Sequence, residues 1–162
     1  MMFFHDRYFP KTGEFIRTEI PHFAKRNPKT FQIFADYLGG DQNLAASATS
    51  AGTYPRVIIS KDIRKDCQLP GNAVAGGCHC PVRPDYIYFP ESHMQAFEDG
   101  NTTNWLFTGK LLHECVHWGR YKNGLSRRID DDEAGLHFEF KAGFSKSKGN
   151  YWNKKPIHID DI

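Results

Sequence analysis

Asn104-Trp-Leu-Phe-Thr-Gly-Lys-Leu-Leu-His-Glu-Cys-Val-His-Trp118 reads as a long amphipathic helix. Thr103 or Asn104 can cap its first turn, and Gly119 and Gly124 mark its exit. Trp105, Leu106, Leu112, Cys115 and Val116 are expected to form its wide buried stripe. His113 and His117 stand four residues apart, one turn above each other, so both imidazoles can reach one tetrahedral ion at ~2.0–2.1 Å. Glu114 points beside such an ion rather than at it. From there its carboxylate can take a proton from zinc-bound water and later hand it to a leaving amine. Cys115 lies on another side of the helix and reads as a small buried hydrophobe.

A catalytic zinc takes a third protein ligand and keeps one position for water. The run Asp130-Asp131-Asp132-Glu133 suits a helix N-terminus, and a second helix is expected from there to about Ala142, before Gly143. It offers Glu133, His137 and Glu139. Glu133 and Glu139 are six residues apart, ~120° around the axis, so one metal does not easily take both. Glu139 shares its face with Gly135, Leu136, Ala142 and Gly143, where a carboxylate is costly unless paired or bound to a metal. Glu139 is therefore the expected third ligand. Glu133, whose charge the helix dipole already satisfies, is the alternative, followed by His137 or an Asp of 130–132. Glu133 or a neighbouring Asp can instead hold the far nitrogen of a zinc-bound histidine. His137, Tyr151 and His158 are candidate donors to the oxyanion of an attacked carbonyl.

Upstream, residues 13–38 read as a turn and two helices, with Pro28 near the first position of the second and Gly39-Gly40 ending it. Residues 41–53 are small and polar, a loop or a loosely held helix. Pro55-Arg56-Val57-Ile58-Ile59-Ser60 reads as a strand. So does Asp85-Tyr86-Ile87-Tyr88-Phe89-Pro90, whose bordering prolines suggest a sheet edge. An edge strand beside the metal can take an extended peptide as one more strand, which makes Tyr86, Ile87 and Tyr88 candidate substrate contacts. The intervening loop carries Cys67, Cys78 and Cys80. Cys67 can cross-link to Cys78 or Cys80, a bond that an oxidising compartment would preserve. The competing readings are reduced loop thiols, or a second zinc site of Cys67, Cys78, His79 and Cys80.

The chain has 162 residues, enough for one domain with a real core, and 13 Phe, 7 Tyr and 3 Trp supply much of it. Its expected organisation is a helical part over 1–55, strands and a Cys/Gly-rich loop over 56–90, metal-binding helices over 104–144 and a basic aromatic tail over 145–162. With 21 Lys plus Arg against 19 Asp plus Glu, bulk charge supports neither an acidic disordered chain nor a nucleic-acid binder. No apolar run approaches the ~18–20 residues that cross a membrane. The start, Met-Met-Phe-Phe-His-Asp-Arg, lacks a basic region followed by an apolar core, so no ordinary signal peptide is expected.

The stretch from His113 to Trp118, followed by Asp131-Asp-Glu-Ala-Gly-Leu-His-Phe-Glu-Phe-Lys-Ala-Gly143, resembles the zincin superfamily, specifically small gluzincin-like metallopeptidase toxin domains. Such domains occur in bacterial polymorphic toxins and type VI secretion effectors, including C-terminal extensions of VgrG spike proteins. The resemblance covers roughly residues 85–144. It implies an α+β, zincin-like fold in which the first helix carries the motif and the second carries the third ligand. It implies zinc held by His113, His117 and Glu139, with Glu114 as catalytic base. The metzincin Gly-x-x-His and the thermolysin-type Asn-Glu-x-x-Ser-Asp are both missing, which leaves the third ligand open. The implied activity is hydrolysis of a peptide amide in a neighbouring bacterium, its periplasm favoured. A cognate immunity protein and a secretion carrier would be its partners, and the chain would be cytoplasmic in the producer before delivery. A zinc amidase acting on cell-wall peptides and a non-catalytic, metal-stabilised interaction domain are the alternatives.

Overall fold

The computed structural model describes residues 1–69, 76–130 and 132–146. The N-terminal third is helical after a short strand β1 (Met2–Phe3): α1 (Pro10–Thr18), a 3-10 turn (Ile20–His22), α2 (Phe23–Arg26), α3 (Pro28–Tyr37) and α4 (Gln42–Thr49). Prolines stand in the first turns of α1 and α3, where no amide donor is required. The small polar run over 41–53 folds as α4. Asp41 caps it by accepting from the Leu44 amide at 2.8 Å, and Ala45 and Ala48 are fully buried.

The main sheet adds β2 (Arg56–Ser60), β3 (Cys78–His79) and β4 (Tyr86–Pro90) to β1, in the order β1-β2-β4-β3. β1, β2 and β4 are parallel, and β3 closes the sheet antiparallel to β4. The expectation that Tyr86, Ile87 and Tyr88 form a sheet edge is therefore overturned. β4 lies between β2 and β3, with Ile87 opposite His79 and Tyr88 opposite Cys78. Pro84 precedes the strand and Pro90, opposite Ser60, is its last residue, so neither requires an edge.

α5 (Ile63–Asp66) follows β2, and α6 (Glu91–Glu98) follows β4. The long α7 (Asn104–Lys122) starts with the Thr103 hydroxyl accepting from the Leu106 amide at 3.3 Å. It runs one turn past Trp118 and stops before Gly124, which adopts a left-handed φ of 62°. Phe107, Leu111, Leu112, Cys115, Val116 and Trp118 are buried, each apolar side chain contributing roughly 1.5–3 kcal/mol. Trp105 and Leu106 do not join that stripe. They are 38% and 46% exposed on the first turn, where Trp105 lies against the Phe144 ring. At Gly119 a Cβ would meet Leu38 Cγ at 2.4 Å, so absence of a side chain sets how closely the segment after α3 packs on α7.

A two-stranded ribbon, β5 (Arg128–Ile129) with β6 (Asp132–Glu133), turns the chain into α8 (Ala134–Lys141), which packs on α7. The described part is thus mixed α+β, with a core running from Met1 to Phe144. Cys67 and Cys78 are joined by a disulfide with a Cα separation of 6.3 Å, whereas Cys80 is a buried free thiol. A zinc site of Cys67, Cys78, His79 and Cys80 is ruled out in this arrangement. Two sulfurs are spent in the cross-link, and the His79 imidazole lies 3.1 Å from the Pro84 carbonyl oxygen. No helix among the described residues is long and apolar enough to cross a membrane.

Candidate metal centre

Helical spacing on α7 delivers what it promises: His113 Nε2 and His117 Nε2 lie 3.3 Å apart on one face. The third group comes from Glu133, the last residue of β6 and the cap of α8. One carboxylate oxygen is 2.5 Å from His117 Nε2, and the other is 3.5 Å from His113 Nε2. The same two oxygens accept the Gly135 and Leu136 amides at 2.6 and 2.7 Å, so the cap of α8 holds the carboxylate in place. One ligand atom from each of the three residues lies within 4.8 Å of the others. A tetrahedral ion at ~2.1 Å from each would set them about 3.4 Å apart, so the donor set fits a metal such as zinc.

Glu139, the expected third ligand, lies elsewhere. Its Oε1 is 2.7 Å from His113 Nδ1, on the opposite edge of the imidazole from the cluster. The roles read from sequence are exchanged: Glu133 converges on the two Nε2 atoms, and Glu139 supports a ring from behind. The six-residue separation places the two carboxylates on different sides of α8, and His113 lies between them. Gly135 completes this seat. A Cβ there would lie 2.5 Å from His113 Cδ2 and Nε2, so the α8 backbone packs directly on the ring. His117 Nδ1 is buried without a hydrogen-bond partner among the described residues.

Burial opposes charge throughout the cluster, and the neighbouring charges decide which groups keep it. Desolvation disfavours a proton on His113, yet Glu133, Glu139 and Glu114 outweigh it and raise its pKa to about 10. Desolvation also pushes the Glu133 carboxyl upward. His117, His113 and the donated hydrogen bonds more than reverse that and hold it well below the usual carboxylate range. Glu114 goes the other way, because burial raises its pKa despite both histidines. Its Oε1 is 3.9 Å from His113 Nε2, and its Oε2 is buried without a hydrogen-bond partner among the described residues. A carboxyl with a raised pKa beside a group of ligands is suited to accept and return a proton near neutrality.

His137 sits one turn beyond Glu133 but does not join the cluster; its Nδ1 is hydrogen-bonded to the Tyr37 hydroxyl. Tyr151 and His158 lie outside the described residues. Two contacts escaped the sequence reading: Gly135 on His113, and Gly77, whose Cβ would lie 2.6 Å from Glu114 Oε1. Arg127 also reaches the site's border, donating from Nη2 to the His79 carbonyl at 3.3 Å.

A family model described as metallopeptidase toxin 3 matches residues 5–144, which take in nearly all of the described core and every residue of the cluster. No curated protein and no solved structure matches the chain. A match of that length, over a helix whose two histidines meet a carboxylate from the next helix, makes the chain a member of the metallopeptidase toxin 3 family.

Proposed function

We propose that the chain is a zinc-dependent peptidase of zincin type, acting as a toxin against neighbouring bacteria. The observation that carries the reading is the convergence of His113 Nε2, His117 Nε2 and the Glu133 carboxylate, with Glu114 buried alongside. Those three residues would hold the ion. Three protein ligands are the number of a catalytic zinc site rather than a closed structural one. Bound there, zinc would supply a Lewis acid for the amide carbonyl and make a nearby water acidic enough to ionise near neutral pH.

The chain's own residues do the rest. Glu139 accepts a hydrogen bond from His113 Nδ1, which leaves Nε2 as the ring nitrogen that would meet an ion once its own proton is displaced. Glu133, fixed by two backbone amides, keeps its negative charge there. Glu114 accepts a proton from the attacking water and returns it to the amine nitrogen as the amide bond breaks. β3, the sheet edge next to Gly77, would lie beside an extended substrate.

Delivery to a target periplasm, a protective immunity partner and a secretion carrier belong to the same proposal. The family description as a toxin supports them, and the Cys67–Cys78 disulfide is consistent with an oxidising destination. The test is hydrolysis of casein and of isolated cell-wall stem peptides by the chain after chelation and after zinc is restored. Cleavage that returns with zinc and disappears in Glu114→Ala is expected. Equal cleavage by the chelated chain would overturn the metal role, and cleavage of stem peptides alone would make the enzyme a cell-wall amidase.

A further inference from the structure

The segment that covers Glu114 is held to the protein in an unusual way. Gly77 lies so close that a Cβ would come within 2.6 Å of Glu114 Oε1 and 3.0 Å of its Cγ and Cδ. Gly77 has no left-handed φ, so its missing side chain answers to space and not to backbone conformation. It immediately precedes β3, which pairs with β4 through only two register positions, Cys78 with Tyr88 and His79 with Ile87. Beyond that ladder the strand is held at His79, by the Pro84 carbonyl and by Arg127 Nη2, one residue further from Gly77 than Cys78. The firmer anchor is covalent. Cys78 is bonded to Cys67 at the end of α5, and both sulfurs are buried with Tyr88 in an apolar cluster separate from the main core.

We propose that the Cys67–Cys78 cross-link positions Gly77 against Glu114, so that peptide hydrolysis belongs to the oxidised protein and the reduced chain is a slow form that still binds metal. The proposal rests on the reading of Glu114 as proton carrier. In a reducing compartment Cys67 and Cys78 are thiols. They close by exchange with a disulfide oxidoreductase or oxidised glutathione. The Cys67–Cys78 bond forms, and two protons and two electrons pass to the incoming disulfide, whose S–S bond breaks to give two thiols. The cross-link thereby ties activity to arrival in an oxidising space. Cys80, buried and unbonded, has no part in it.

The test compares oxidised, reduced and re-oxidised zinc-loaded protein on one internally quenched peptide, with metal content measured in each state. Reduction is expected to lower kcat at least tenfold, to change KM by less than twofold, to leave about one zinc per chain, and to be reversed by oxidised glutathione. Gly77→Ala with the disulfide intact should lower kcat similarly, and Cys80→Ser should leave it unchanged. A reduced protein that keeps kcat within twofold overturns the proposal. If oxidised protein cleaves no peptide, the peptidase reading fails instead. The positioning claim is then decided by the ¹³Cδ resonance of Glu114 and amide exchange at Gly77. Both should change on reduction, and constancy in both refutes it.

Discussion

Gly135→Ala is the substitution whose effect follows most directly from the geometry of the centre. A Cβ at 135 would stand 2.5 Å from His113 Cδ2 and Nε2 and 2.7 Å from Cε1, whereas ordinary contact begins near 3.4 Å. The ring must therefore retreat by roughly 0.9 Å. It has little freedom to do so, because Glu139 holds Nδ1 at 2.7 Å and the ring stands edge-to-face with His117 one turn away. Metal–ligand distances tolerate only ~0.2 Å, so the shift is felt at the metal before it is felt by the fold. Loss of such support lowers metal affinity about 10–100-fold, equivalent to roughly 1.4–2.7 kcal/mol. Overpacking costs the metal-free chain about 1–3 kcal/mol. Zinc affinity is read by competition with a chromophoric chelator, alongside denaturant melts of the metal-free protein. Zinc binding within threefold of the parent would refute the placement of Gly135 against a ligand.

Glu114→Ala should keep a full complement of zinc while kcat falls about 10²–10⁴-fold, the usual contribution of a general base; parallel loss of zinc would mean that Glu114 is a ligand. Glu139→Ala should still fill with zinc at saturation but with 10–100-fold weaker affinity, whereas Glu133→Ala should not retain it through dialysis. Burial lowers the pKa of His79 to about 4 from 6.5 despite its hydrogen bond to Pro84. The folded state therefore favours the neutral ring: its contribution is intact above pH 6.5, is lost as pH falls toward 4, and totals roughly 3 kcal/mol. Denaturant melts of His79→Gln should consequently lose about 2–3 kcal/mol less than the parent between pH 7 and 4.5, and an equal loss would refute the assignment. Gly119→Ala forces a Cβ to within 2.4 Å of Leu38 Cγ and should cost about 1–3 kcal/mol in the same measurement, with zinc affinity unchanged.

Local chemistry carried much of this structure in legible form. Prolines and glycines bounded α3, the β-branched run over 57–59 formed β2, and Glu133 capped α8, although Asp132 before it is paired in β6. The spacing of His113 and His117 gave their shared face outright. What remained hidden depends on how elements cross. Glu139 occupies a packed face where a carboxylate needs a partner, and His113 is that partner. Which ring nitrogen it meets depends on the approach of α8 to α7, and a single helix's periodicity does not encode that. Glu133 looked like an ordinary cap because capping is what its oxygens do for the backbone; the same oxygens also face both histidines. β3 escaped because two residues inside a Cys-rich loop show no alternation, and the prolines bordering β4 point to an edge that β3 in fact covers.

A zinc-soaked crystal examined by anomalous scattering tests the centre most directly. The convergence of Nε2 atoms and carboxylate predicts one peak about 2.0–2.2 Å from His113 Nε2, His117 Nε2 and a Glu133 oxygen, with Glu139 still on His113 Nδ1. A peak bonded to Glu139 in place of Glu133, or an ion enclosed by four protein ligands, would contradict it.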